Sequence, residues 1–155
     1  MSSPDSRCPA ILVGFFLFAS CLPAHGAQEE LWTEAESFHA LGGWLIDQQS
    51  IGQMGSAYVM AHGMGVPVAD AVTDCAIPEA GQWTVWVRTR NWTAPWKRGK
   101  PGGTFQVLVN GRALPETLGT NGSPWGWQKA GAVVLAKGKA KLALHDLTGF
   151  NGRCD

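Results

Sequence analysis

The sequence is poor in charge, and the charge that it has is balanced. Only 15% of its 155 residues are Asp, Glu, Lys or Arg, and twelve basic side chains stand against twelve acidic ones. A neutral chain does not fit a protein that binds nucleic acid through bulk positive charge. A hydrophobic content of 45% does not fit a disordered tail. The length and composition therefore predict one folded domain.

The sequence also lacks long helical patterns and the common catalytic signatures. After residue 26, no window of eleven or more residues keeps an apolar period of 3.6. There is no G-x-G-x-x-G dinucleotide-binding motif, no G-x-S-x-G nucleophile elbow, and no His-x-His or His-x-x-x-His metal spacing. These absences argue against a helical bundle, a flavin-binding domain, a serine hydrolase and a histidine-based zinc enzyme.

The N-terminal segment has the pattern of a secretory signal peptide. Arg7 precedes an apolar run at residues 10–19 that is too short to span a bilayer, and the small residues Ala24 and Gly26 follow. We expect residues 1–26 to be the signal peptide and residues 27–155 to be a secreted or periplasmic domain. The alternative is a lipoprotein in which Cys21 is the lipidated first residue.

Only two cysteines, Cys75 and Cys154, follow this segment. In an oxidising compartment they either pair as a disulfide or remain as two buried thiols. Sequence does not fix the distance between them, so both alternatives stay open.

What the sequence has in abundance is typical of a β protein with many turns. It contains 20 Gly, 9 Pro and 8 Trp. Residues 82–90 alternate, with Trp83, Val85 and Val87 on one face and Trp86 on the other. Residues 105–109 also alternate and end at an Asn-Gly hairpin signal. Further predicted strands are 31–38, 44–48, 57–61, 69–77, 131–135 and 140–144.

About eight short strands predict an all-β fold, a β-sandwich or jelly roll. The predicted strands end before residues 152–155, where a further strand is expected to begin. We therefore expect a sandwich that lacks its closing strand. Such a fold would expose a sheet edge and lose core area.

Four motifs, in this order, resemble carbohydrate-binding modules of the family 6 and family 35 type. They are EAE at 34–36, IPEAGQWTVWVR at 77–88, FQVLVNG at 105–111 and WGWQ at 125–128. The resemblance covers residues 32–155 and implies a galactose-binding-like jelly roll that binds carbohydrate without catalysing a reaction.

Other segments are similar to the jelly-roll module found beside FAD-dependent oxidoreductase domains in secreted bacterial proteins. This likeness implies an accessory module of a larger oxidoreductase or polysaccharide-degrading protein. The segments that carry it are DQQ at 47–49, GSAY at 55–58, AHGMGVPVADA at 61–71, VRTRNW at 87–92 and LHDLTGF at 144–150.

The predicted carbohydrate-binding residues are tryptophans and arginines in segments rich in turns. An indole stacks on the C–H face of a pyranose, and arginine donates hydrogen bonds to hydroxyl groups. Residues 88–100 hold five cations and no acid, which favours a uronic acid or a sulfated sugar. The predicted set is Trp92, Trp96, Arg88, Arg90, Trp125 and Trp127.

The aromatic residues have two other interpretations. The tryptophans could instead build the core or hold a loop to it. Aromatic residues between cations can also bind single-stranded nucleic acid, but secretion and a neutral charge argue against that function.

The acidic residues predict a cation site. If 31–38 is a strand, Glu34 and Glu36 point to one face, where two like charges are unfavourable without a cation between them. The resemblance implies a structural calcium ion held by Glu34, Glu36 and Asp155, and oxygen ligands suit calcium. The alternative is a solvated strand edge.

We therefore predict a secreted, non-enzymatic module whose partner is a polysaccharide or oligosaccharide. One alternative is a small glycosidase or lyase that uses Glu34 or Glu36 with His62, although neighbouring carboxylates do not specify a glycosidase pair. Another is a structural module whose tryptophans pack on a catalytic domain in cis. For His62 and His145 we expect structural hydrogen bonds.

Overall fold

Alternating apolar residues build nearly half of the described residues into strands, as the computed structural model shows for residues 29–96 and 101–155. The predicted signal peptide, Cys21 and three cations of the 88–100 segment lie outside these described residues. Residues 31–155 form one compact unit. No helix in the described part of the chain has the length and hydropathy needed to cross a membrane.

The described residues form nine strands and two short helical turns. The turns are a 3-10 turn, Ala35–Ser37, and α1, Ile51–Met54. The strands are β1 Trp44–Asp47, β2 Tyr58–His62, β3 Ala71–Ile77, β4 Gly81–Thr89, β5 Phe105–Val109, β6 Arg112–Ala113, β7 Gly126–Leu135, β8 Gly138–Asp146 and β9 Phe150–Cys154.

The strands form two antiparallel sheets with the core between them. One sheet has the order β1-β2-β9-β4-β7, and the other has the order β3-β8-β5-β6. The core includes the fully buried rings of Trp44 and Phe105, which meet edge to face at 5.5 Å. The prediction of an all-β sandwich is confirmed.

The alternation in the sequence sets which side chains enter this core. Along β5, Phe105, Val107 and Val109 are buried. The turn after β5 has positive φ at Asn110 and at Gly111, 50° and 79°. This is the geometry of a type I′ hairpin, and it confirms the turn that the Asn-Gly pair predicts.

Two predicted elements are different in the structure. Residues 31–38 do not form a strand, because the 3-10 turn Ala35–Ser37 interrupts them, so the argument that placed Glu34 and Glu36 on one strand face is wrong. Trp127 lies within β7 rather than in a loop, and the strand begins at Gly126. Because β7 pairs with β4 as far as Gly126, it extends beyond the apolar residues 131–135 that predicted a strand.

The last strand of the described residues is β9, where a missing closing strand was expected. Strand β9, Phe150–Cys154, pairs with β2 along four residue pairs, but it pairs with β4 only through Cys154 and Thr89. The further strand expected to begin near residue 152 therefore begins two residues earlier, at Phe150. The rest of β4 pairs with β7 on its other side.

The two cysteines are free thiols in this fold. Cys154 is buried and Cys75 is half-buried, and they belong to strands of opposite sheets. Of the two alternatives, a disulfide or two unpaired thiols, the structure therefore has the unpaired thiols. Burial raises the pKa of both thiols, which keeps them protonated and unreactive at neutral pH.

Candidate functional site

The loop after β4 presents an aromatic group that we call the loop cluster: Trp92, Trp96 and Phe150. The Trp92 ring lies 5.4 Å from Phe150 and 5.9 Å from Trp96, and the Trp92 indole N–H donates to the Phe150 carbonyl at 3.1 Å. Trp92 is half-buried, whereas Trp96 is 72% exposed. Trp92 is therefore held in place, and the Trp96 ring is open to solvent.

Buried polar residues hold the described part of this loop, residues 91–96. The Asn91 side-chain oxygen accepts hydrogen bonds from the Thr93 backbone N–H and hydroxyl, at 3.2 and 2.9 Å. The Thr93 hydroxyl oxygen accepts from the Gly102 backbone N–H at 2.9 Å. The Trp96 backbone N–H donates to the Thr93 carbonyl at 2.9 Å. Because Asn91 and Thr93 are buried, these bonds are shielded from water and preorganise the loop.

Beneath the loop cluster lies a second group, which we call the cationic stack: Tyr58, Arg90, Trp125 and Arg153. The Arg153 guanidinium is 5.9 Å from the Tyr58 ring and 5.3 Å from the Trp92 ring of the loop cluster. Tyr58 and Trp125 meet edge to face at 4.8 Å, and Arg90 lies 6.0 Å from the Trp125 ring. These distances are in the range of cation–π contacts.

The cationic stack has hydrogen-bond donors that no protein group satisfies. The Nε atoms of Arg90 and Arg153 and the indole nitrogen of Trp125 are buried, and none has an acceptor among the described residues. Burial, together with the nearby Arg153 charge, lowers the pKa of Arg90. Buried unpaired donors are costly, so these three nitrogens are a polar feature that the packing of the described residues leaves unsatisfied.

Arg88 is not part of either aromatic group. Its Nη1 atom lies 3.4 Å from the Asp155 carboxylate and donates to the Met54 carbonyl at 3.4 Å. This nitrogen therefore has two protein partners. Its predicted role in carbohydrate binding is not supported by these contacts, and the alternation along β4 alone could not reveal them.

Trp127 contacts a residue that the sequence reasoning did not select, Trp32. Their ring centroids are 5.7 Å apart at 76°, and the two side chains are 51% and 68% exposed. Trp86, on the same outward side of neighbouring β4, is 54% exposed. We call Trp32, Trp86 and Trp127 the face patch. The predicted residues thus fall into separate groups rather than one surface.

Sequence reasoning missed Tyr58, Phe150 and Arg153 as site residues. Arg153 carried a signal, because it alternates with the apolar Cys154 in the last strand. Tyr58 and Phe150 carried none beyond their aromatic character, since their contacts join segments that are far apart in the chain.

The predicted carboxylate ligands do come together. One oxygen from each of Glu34, Glu36 and Asp155 lies within 4.8 Å of the others. Ser56 donates to Asp155 at 3.0 Å and orients that carboxylate. The 3-10 turn places Glu34 and Glu36 at the end of β9. The predicted strand would instead have placed them on the face of a sheet.

The charge balance of this carboxylate site suits a bound cation. The Glu36 Oε2 atom is buried without a hydrogen-bond partner among the described residues. Burial, and then the charges of Glu34 and Asp155, raise the pKa of Glu36. The unpartnered Glu36 oxygen and the two neighbouring carboxylates together form a set of hard oxygen donors, and such a set fits a calcium ion.

The histidines have protein partners, as expected. His62 Nδ1 lies 2.7 Å from the Asn151 side-chain oxygen, and His145 Nδ1 lies 2.9 Å from an Asp70 oxygen. Both bonds join a strand end to a neighbouring segment, which is a structural role.

Solved structures with the same fold include carbohydrate-binding modules. The family 35 carbohydrate-binding module from Clostridium thermocellum aligns with a TM-score of 0.59 and 18% identity over 79% of this chain and 93% of its own. The CBM35 from Paenibacillus barcinonensis aligns with a TM-score of 0.57 and 20% identity over 79% of this chain and 92% of its own.

The same fold occurs within a larger protein. The Podospora anserina GH26-CBM35 β-(1,4)-mannanase aligns with a TM-score of 0.59 and 17% identity over 79% of this chain. The alignment covers 25% of the mannanase, so this chain corresponds to about a quarter of that protein. No protein-family model matches the sequence, and no curated protein matches it.

These likenesses establish the fold. The chain is a β-sandwich of the kind found in family 35 carbohydrate-binding modules, and the expected resemblance is confirmed at that level.

Proposed function

We propose that this chain is a non-catalytic carbohydrate-binding module that binds a saccharide at the loop cluster. The observation that carries the proposal is the Trp96 indole, which is 72% exposed on a loop whose shape is fixed by buried hydrogen bonds. An exposed ring on a rigid loop stacks on a pyranose at little cost in conformational entropy. The fold shared with family 35 modules supports the same function.

An acidic saccharide fits this surface best. Arg90 and Arg153 form no ion pair with a carboxylate in the described part of the chain, and each keeps a buried Nε without an acceptor. A carboxylate or sulfate group on the sugar would accept charge-assisted hydrogen bonds from the accessible part of these two half-buried guanidinium groups. We expect weak binding, with Kd in the range of roughly micromolar to millimolar, because the stacking surface is small.

The carboxylate site supports a structural role rather than catalysis. Its three carboxylates lie together, and Asp155 is paired with Arg88. A glycosidase needs one group on each side of the scissile bond, and His62 is hydrogen-bonded to Asn151. We propose that Glu34, Glu36 and Asp155 bind calcium, which joins the residues before β1 to the end of β9.

The wider context of the protein is also a proposal. The pattern of residues 1–26 supports secretion or a periplasmic location, with lipidation at Cys21 as the alternative. The mannanase that shares the fold supports an accessory role beside a catalytic domain in cis. The motif likeness to modules of FAD-dependent oxidoreductases suggests an oxidoreductase as that partner.

A second candidate function is favoured by the face patch. Trp32, Trp86 and Trp127 expose more than half of their surface each. Exposed aromatic groups of this size are common where a module packs on a neighbouring domain. In that case the tryptophans serve attachment, and the isolated chain binds no saccharide.

Titration calorimetry with uronic-acid oligosaccharides, and with neutral mannan oligosaccharides for comparison, tests both functions. We expect binding of the acidic series by the wild-type protein and a loss of at least tenfold in affinity in Trp96→Ala. Trp127→Ala is the matched control on the face patch, and it should bind like the wild type. Absence of any binding by a folded wild-type protein would contradict the proposal and favour the attachment role.

A further inference from the structure

Strand β2 ends at an exposed imidazole that lies next to the loop cluster. His62 is the last residue of β2, and it is paired with Phe150, the first residue of β9. Cross-strand partners project from the same face of a sheet. His62 is exposed, and Phe150 contacts Trp92 with 5.4 Å between the ring centroids. The imidazole therefore lies at the border of the proposed saccharide surface.

A β-bulge holds this imidazole in one orientation. The register of β2 with β9 shifts between Ala61 and His62, because Asn151 is an extra residue in β9. Asn151 has a positive φ of 58°, and its side-chain oxygen lies 2.7 Å from His62 Nδ1. Bulges re-aim side chains and are frequent beside functional sites. Here the Asn151 side chain reaches back to the His62 ring and fixes its position.

The backbone that follows His62 is also constrained. The N–H groups of Gly63 and Gly65 both donate to the Gly149 carbonyl, at 2.9 and 3.0 Å. A Cβ atom at Gly63 or at Gly149 would clash with the Val66 carbonyl oxygen, so this close approach of two segments requires glycine. A ligand therefore meets the His62 ring on a preorganised backbone, which lowers the entropic cost of binding.

The bond to Asn151 assigns the role of the other ring nitrogen. An amide oxygen only accepts hydrogen bonds, so Nδ1 carries the proton of the neutral His62 ring. Nε2 is then an acceptor, and it has no hydrogen-bond partner among the described residues. Arg90 and Arg153 bring only donors to this surface. His62 adds an acceptor, which suits the hydroxyl group of a sugar.

His62 lies across the sheet from the loop that carries Trp96. That loop follows β4, and β9 lies between β4 and β2. Neighbouring strands are about 4.8 Å apart, so β2 is roughly 10 Å from β4. Trp96 contacts Trp92, and Trp92 contacts Phe150, so two ring contacts lead from Trp96 to the strand beside His62. A ligand that reaches both Trp96 and His62 therefore has more than one sugar unit.

We propose that His62 is a specificity-determining residue of the saccharide site, where Nε2 accepts a hydrogen bond from a hydroxyl group of the sugar unit next to the one on Trp96. This inference rests on the proposed function and sharpens it, because the ligand is then a chain of at least two units. Arg153 is on β9, between these two places, and lies 5.3 Å from the Trp92 ring. Its guanidinium is placed to meet an acidic group of the same chain.

The test measures the affinity for galacturonic acid, its dimer and its trimer by NMR titration. We expect the affinity of the wild type to rise at least tenfold from the monomer to the trimer. His62→Ala should lower the affinity for the trimer about fivefold, the loss expected for one hydrogen bond, and leave the affinity for the monomer unchanged. His62→Gln keeps a side-chain acceptor, so it should bind the trimer within about twofold of the wild type.

His145→Ala is the matched control, because His145 Nδ1 makes a similar bond, 2.9 Å to an Asp70 oxygen, on the opposite sheet. It should leave the affinity for the trimer unchanged. A wild-type affinity that does not depend on chain length, or equal losses in His62→Ala and His145→Ala, would overturn the inference. So would a loss in His62→Gln as large as that in His62→Ala.

The same titrations separate this inference from the proposed function. If Trp96→Ala weakens binding while His62→Ala does not, the inference fails and the proposed function stands. If the folded wild type binds none of the three saccharides, the proposed function fails, and the inference fails with it.

Discussion

The two ends of β4 differ in a way that organises the whole molecule. Near Thr89 the strand has a neighbour on each side, its inward residues are buried, and the loop that follows is fixed by Asn91 and Thr93. Near Gly81 the strand has, among the described residues, β7 on one side only, and a cavity of about 160 Å³ lies beside it. The rigid end is the one that displays the loop cluster, which indicates that packing is concentrated beneath the proposed binding surface.

The largest expected effect is at the well-packed core. Phe105→Ala removes a fully buried ring that contacts Trp44, so we expect it to lower the free energy of unfolding by about 4 kcal/mol. Trp86→Ala removes a larger ring that is 54% exposed, and it should cost less than about 1 kcal/mol. Urea denaturation measures both, and equal losses would break the comparison between packed and open regions.

Calcium is expected to have the next largest effect, since the proposed ion would join residues before β1 to the end of β9. A calcium concentration of 100 times Kd should raise the free energy of unfolding by about 2.7 kcal/mol. Glu36→Gln should remove this response, because the substitution replaces by an amide the carboxylate whose Oε2 atom has no hydrogen-bond partner. Thermal denaturation with calcium and with chelator tests this, and a calcium response that survives in the variant would contradict the assigned ligands.

The pH dependence of the same site has a defined sign in chelator. The pKa of Glu36 is raised above its ordinary value of 4.5, so the folded state binds this proton more tightly than the unfolded state. The contribution of this protonation to the free energy of unfolding is therefore full below about pH 4.5, and it is lost as the pH rises through the pKa of Glu36 in the folded state. Relative to Glu36→Gln, the wild type should lose stability over that rise. A parallel pH profile of the two proteins would exclude this linkage.

The smallest effect sharpens the comparison within β4 itself. Val87→Ala and Val85→Ala remove the same two methyl groups from the same face of one strand. We expect a loss of about 2 kcal/mol at buried Val87 and less than about 1 kcal/mol at half-buried Val85.

The sequence predicts the sheet elements well, because alternation along a strand is a local signal. The faces of β4 and the turn at Asn110 follow from residues within one segment. The same locality explains the error at 31–38, where a 3-10 turn forms because Ala35 is buried in the core and Glu36 turns toward Asp155. No periodic pattern within the segment encodes those distant partners.

The candidate sites were predictable in kind but not in grouping. Residue chemistry selects Trp92 and Trp96, and the resemblance to carbohydrate-binding modules implies the three carboxylates. It does not reveal that Arg88 is paired with Asp155, or that Trp127 lies against Trp32 rather than beside the loop. Both contacts depend on how β4, β7 and β9 are ordered in the sheet, and one strand's sequence does not specify its neighbours.

The most direct test of saccharide binding at the loop cluster is to follow the indole N–H resonances of the folded protein by NMR during titration with a uronic-acid oligosaccharide. We expect the Trp96 resonance to shift in a saturable manner, while those of Trp32 and Trp127 keep their positions. A titration in which only Trp32 and Trp127 respond, or in which no indole responds, would contradict the account.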